Sequence, residues 1–118
     1  MQYMNNKDQG FLRFLICKEG REFVAVCLDL DLIEYGKDPV KLQKSIEEAA
    51  TSYLEAVKKE NLPDSYLNKS APQKYWKKWE KMQKESIEKI ISKKEINSSN
   101  NCFLSTTQQY NKNFSIAC

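Results

Sequence analysis

A chain of 118 residues, 41% hydrophobic and 30% charged, has room for one compact domain and an appendage, with a modest core. Its 19 Lys and Arg stand against 16 Asp and Glu, a net charge of +3, and it has no histidine. Without histidine no Ser-His-Asp or Cys-His nucleophile pair, no His-bearing zinc site and no His-based pH switch can be built. No run approaches the roughly 20 apolar residues of a membrane span. The first six residues, Met1 to Asn6, have neither the basic start nor the apolar core of a secretory signal, so the cytoplasm is the expected compartment. Cys17, Cys27, Cys102 and Cys118 are scattered with no C-x-x-C, a spacing that disfavours zinc. Cys17 and Cys27 each lie inside an apolar run and are expected to be small buried hydrophobes.

Residues 1–10 are polar and end at Gly10, the composition of a flexible lead. Two apolar runs follow, Phe11 to Cys17 and Glu22 to Leu28, joined by a polar stretch containing Gly20; this is a β-hairpin pattern. The second run is apolar at nearly every position, as in a strand covered on both faces. A third short strand, Asp31 to Tyr35, closes at Gly36. Asp38 is a good N-cap and Pro39 suits the first helical position, where a missing N–H costs nothing. From there Leu42, Ile46, Ala49, Ala50, Tyr53, Leu54 and Val57 recur at helical spacing. Lys58 and Lys59 suit the helix C-terminus, and Leu62-Pro63 ends it. The predicted α/β unit is therefore residues 11–62.

A second amphipathic helix is predicted over 70–95, with Trp76, Trp79, Ile87, Ile90 and Ile91 on one broad face beside Tyr75 and Met82. Its other face is rich in lysine. Pro72 to Glu95 hold eight Lys and four Glu, whereas residues 1–71 hold 10 basic and 12 acidic groups, so the basic excess sits on this helix. Residues 96–118 form a polar linker and tail, in which Phe103, Leu104, Tyr110, Phe114 and Ile116 are spaced among polar residues; the composition fits a late strand or a loose segment equally. The expected fold is α+β: a small antiparallel sheet of three to four strands, a covering helix and a second C-terminal helix.

Chemistry-bearing residues are few. Asp29, Asp31 and Glu34 would place two carboxylates on one face of an extended chain, a spacing able to hold a divalent cation in a nuclease. The same acids suit solvent-facing positions of a connection and an edge strand, and this reading is preferred; no metal or cofactor is expected. Lys77, Lys78 and Lys81, with Trp76 beside them, form a candidate surface for a partner or for nucleic-acid phosphates, set against inward-packed tryptophans and a solvated lysine face. With glycine only at positions 10, 20 and 36, no phosphate-binding glycine loop exists. Catalysis is not expected.

The order of hairpin, third strand, glycine and capped helix carries a resemblance. Phe23-Val24-Ala25-Val26-Cys27-Leu28-Asp29-Leu30, then Ile33-Glu34-Tyr35-Gly36-Lys37-Asp38, then Ile46-Glu47-Glu48-Ala49 resemble the HicB family of type II toxin–antitoxin antitoxins over about residues 11–60. The resemblance implies a partial ribonuclease-H-like fold without catalytic competence and a partner, a HicA-like RNA-cleaving toxin. Under it, Asp29, Asp31, Glu34 and Tyr35 are the candidate toxin-binding residues, with Gly36 and Asp38 as structural turn and cap. In the family a fourth strand follows the helix; here Pro63 and a second helix intervene, leaving Phe103 to Tyr110 as its candidate. Many family members also carry a DNA-binding domain, but the region after Leu62 matches neither the helix-turn-helix nor the ribbon-helix-helix type, so DNA binding finds no support here. An open strand edge also leaves room for a homo-oligomer. An orphan protein-binding module is the alternative reading.

Overall fold

The computed structural model describes residues 5–92 and 102–111. Four strands, β1 (Gln9–Glu19), β2 (Glu22–Cys27), β3 (Leu32–Gly36) and β4 (Cys102–Asn111), form one antiparallel sheet in the order β3-β2-β1-β4. Two helices, α1 (Pro39–Lys59) and α2 (Gln73–Ser92), complete the α+β fold, with a short 3-10 turn at Asp64–Leu67.

The hairpin turns through Gly20 and Arg21 between the paired Glu19 and Glu22, and Gly20 takes φ +61°. Glycine at the first central position of a two-residue loop matches the twist of the flanking strands. Alternation then sorts side chains to two faces. Leu12, Phe14, Ile16, Ala25 and Cys27 face α1, which answers with Leu42, Ile46, Ala50, Leu54 and Val57. Leu15, Cys17, Val24, Val26 and Leu28 face the other way, under Ala71, Tyr75 and Trp76, with Trp79 and Met82 partly buried beside them. The near-continuous apolar run of β2 is thus explained by cover on both faces, each fully buried aliphatic side chain contributing about 2 kcal/mol of apolar transfer. A sheet with one helix and a bare second face is not what forms: α2 makes it a three-layer sandwich.

Helix α1 begins as its sequence dictates. The Asp38 carboxylate accepts hydrogen bonds from the Val40 and Lys41 N–H groups at 3.0 and 3.3 Å, and Pro39 holds the first turn. Its end is set earlier than Pro63. Asn61 adopts φ +49°, its N–H donates to the Lys58 carbonyl, and the Leu62 N–H donates to the Val57 carbonyl at 2.9 Å. This is a Schellman cap with asparagine in the left-handed position, and it turns Leu62 against the core.

Two expectations are corrected here. Residues 5–10 are not a loose lead: Asn5 is buried, donates from its amide to the Phe11 and Leu67 carbonyls, and accepts from the Phe11 N–H, while Gln9 and Gly10 already belong to β1. The polar composition misled because asparagine satisfies backbone groups of two separate segments. The third strand starts at Leu32, since Asp31 has φ +55° and lies in a turn. Cys17 and Cys27 are both buried as expected, but Cys17 is also bonded to Cys102 across 85 residues of sequence, while Cys27 is free. The late segment is a strand, β4, paired along β1. Residues 93–95 of the predicted second helix, the predicted linker 96–101 and residues 1–4 and 112–118 lie outside the described residues, as do the side chains of Ile87, Ile90, Ile91 and Phe103; with them go the expectations for Phe114, Ile116 and Cys118.

Candidate partner-binding edge

The sequence grouped Asp29, Asp31 and Glu34 as one acidic face, and the fold separates them. Asp29 sits in the turn after β2, 4% exposed, directly against Arg13 of β1. Its carboxylate accepts from the Arg13 backbone N–H at 2.8 Å, from Nε at 3.2 Å and from Nη2 at 2.5 Å. Leaving the sheet after Cys27, the chain would strand the Arg13 amide, and the Asp29 side chain replaces the missing ladder acceptor. Burial pushes the Asp29 pKa up, and the Arg13 hydrogen bonds and charge pull it part of the way back.

The guanidinium is also covered. Its carbon lies 4.7 Å from the Trp76 ring centroid and 5.9 Å from that of Trp79, within cation–π range of both. Trp76 is 5% exposed and donates from Nε1 to the Ser70 hydroxyl at 2.9 Å. Ser70 and Ala71 in turn donate from their backbone to the Asp29 and Leu28 carbonyls. Arg13, Asp29, Ser70 and the two tryptophans therefore tie α2 to the sheet. Asp29 and Trp76 are structural, and neither is presented to a partner. Arg13 was missed by sequence reasoning; its signal was a charged residue at an inward-facing position of an otherwise apolar strand.

The remaining predicted residues lie on or near β3, which is the outermost strand on its side of the sheet. Tyr35 and Ile33 pair with Val24 and Val26 and so point to the α2 face, where they are 55% and 37% exposed. The Tyr35 hydroxyl lies at that of Tyr75, which also donates to Glu19 at 3.1 Å; burial, then these neighbours, push the Tyr75 pKa up. On the opposite face Glu34 accepts from the Ser45 hydroxyl of α1 at 2.6 Å. Asp31 is exposed at one end of β3 and Lys37 at the other. Gly36 closes the strand without a positive φ, and a Cβ there would meet Leu42 at an ordinary 3.4 Å, so its glycine character is not demanded by the backbone. Asp38 is the helix cap described above.

On α2, Lys77 and Lys81 are exposed, and the Lys78 ammonium lies 5.9 Å from the Tyr75 ring centroid. These lysines flank buried Trp76 and half-buried Trp79 on the outer side of the helix. Among the described residues no three His, Cys, Asp or Glu side chains gather as a metal site would require, and no helix is long and apolar enough to cross a membrane. Of the three acids weighed for a cation, Asp29 is paired with Arg13, Glu34 accepts from Ser45 and Asp31 is exposed.

No family model matches this chain, and no curated protein or solved structure matches it either.

Proposed function

We propose that this chain is a protein-binding module of HicB-like type whose β3 edge docks a HicA-like RNA-cleaving toxin and neutralises it. The observation that carries this reading is the edge of β3, which no other strand covers among the described residues, with Ile33 and Tyr35 exposed side by side on one face. An outer strand leaves backbone N–H and C=O groups unpaired, and a partner strand can be added there through main-chain hydrogen bonds while alternate side chains give specificity. The sequence resemblance supplies the class of partner, and the absence of histidine is in keeping with an inhibitor of another protein's chemistry. Exposed Asp31 puts an acidic rim at one end of this edge toward a basic nuclease, which speeds encounter more than it deepens affinity. Asp29 has no part in that rim, being committed to Arg13.

The test is binding of the full chain to a purified HicA-like protein, small and basic. A complex at micromolar concentration that Ile33→Lys weakens about tenfold supports the reading. Failure of the wild-type chain to associate, or an unchanged affinity in the variant, overturns it. Asp31→Asn should lower the association rate at low salt and leave the dissociation rate alone.

A further inference from the structure

We infer that Cys17 and Cys102 form a reversible redox clamp that sets how firmly β4 is held on the sheet. The register of β4 on β1 runs without interruption from Gln9↔Asn111 to Ile16↔Leu104 and then slips, so that Cys17 faces Cys102. Without that bulge residue 103 would stand opposite Cys17. A bulge re-aims a side chain, and here it brings the second sulfur to the α2 face, where Cys17 already lies.

The two ends of β4 are held by different means. At the far end Tyr110 is buried opposite Gly10 and donates from its hydroxyl to the Asn6 carbonyl at 2.8 Å. Along the strand Gln108 donates to Glu47 of α1 and Gln83 of α2 donates to Ser105, so both helices grip it. At the near end the covalent bond fastens Cys102, the first residue of the strand. Cys102 is 9% exposed and Cys17 fully buried, so Cys102 is the sulfur that a reagent reaches first. Cys27 does not compete, being buried in the core on the α1 face.

The chemistry is thiol–disulfide exchange. The Cys102 thiolate attacks a low-molecular-weight disulfide such as glutathione disulfide, giving a mixed disulfide and one free thiol. The Cys17 thiolate then attacks the Cys102 sulfur of that mixed disulfide and expels the second small thiol. Two electrons pass to the small disulfide, and the two protons lost by the cysteines end on the two thiols released. Reduction by a dithiol or by glutathione runs the same steps backward. Persistent disulfides are uncommon in a reducing cytosol, where such pairs act transiently or as sensors. This device is independent of whatever the β3 edge meets, since β4 lies at the other edge of the sheet.

The experiment equilibrates the wild-type full chain in glutathione buffers from reducing to oxidising, traps free thiols by alkylation, and maps cross-linked peptides by mass. Amide hydrogen exchange is followed on the same samples and on Cys102→Ser. The expected result is a Cys17–Cys102 peptide under oxidising buffer. On reduction, exchange in the near half of β4 rises about tenfold while β2, β3 and α1 hold steady, and Cys102→Ser shows the reduced pattern in every buffer. The inference is overturned by pairing of Cys102 with another cysteine, by equal β4 exchange in both redox states, or by loss of protection across the whole sheet, which would make the bond a staple of the entire fold.

Discussion

Replacing Arg13 with methionine isolates the contribution of the buried pair to the sheet–helix joint. The wild-type carboxylate of Asp29 receives three hydrogen bonds from Arg13, one of them from the backbone. In Arg13→Met the backbone bond stays and the two guanidinium bonds go, leaving a carboxylate whose side chain is 3% exposed without a counter-charge. Breaking a buried pair by removing one partner costs about 3–5 kcal/mol. Methionine keeps part of the packing under Trp76, which places the expected loss near the lower figure, about 3 kcal/mol. The loss must also depend on pH. Asp29 already has a pKa above its ordinary value because of burial. An acid of that kind binds protons more readily folded than unfolded, so its contribution to stability falls as pH rises from its unfolded pKa through its folded one. Removing Arg13 lifts the folded pKa further and widens that window upward. The difference between wild type and variant should therefore shrink as pH is lowered from neutral toward the ordinary carboxylate range, read from urea unfolding at each pH. Adding Asp29→Asn to Arg13→Met should recover stability, because the amide oxygen still accepts the backbone N–H and no charge is buried. A loss under about 1 kcal/mol, or one independent of pH, would refute the reasoning.

Other outcomes follow from the same geometry. Gly10→Ala should destabilise the chain by about 2 kcal/mol in denaturant unfolding, because its Cβ would stand too close to the side-chain oxygens of Asn5 and Tyr110, both buried. Asp38→Ala should cost about 1 kcal/mol through loss of the α1 cap, and Asp38→Asn much less. Ile33→Lys should leave stability within about 0.5 kcal/mol of wild type, since the side chain is an exposed edge residue, so any binding defect reports on the surface alone.

The parts of the fold that were legible in the sequence are those in which local chemistry and packing agree. Asp38-Pro39 and the spacing from Leu42 to Val57 specify α1 by capping and periodicity alone. The apolar run of β2 announced cover on both faces, yet the element supplying the second cover was readable only as an amphipathic helix with two tryptophans. Whether Trp76 faced inward depended on a partner far along the chain, Arg13, with which it shares no local pattern. Asp29 looked like an exposed acid because it follows a strand by one turn; its role is to complete a backbone hydrogen bond on β1, which is a tertiary requirement. The polar β4 carries no alternation strong enough to set its register, and that register depends on Tyr110 opposite Gly10 and on Cys102 opposite Cys17. Of the candidate site, the residues of β3 itself were named correctly as belonging to one short strand, but their sorting into two faces came from pairing with Val24 and Val26.

The central claim is that the edge of β3 is where a partner docks, and amide hydrogen exchange of the full chain with and without the small basic HicA-like protein tests it most directly. The account predicts slowed exchange confined to Leu32–Gly36 and its flanks, lost in Ile33→Lys. Protection appearing on α2 instead, or nowhere, would contradict it.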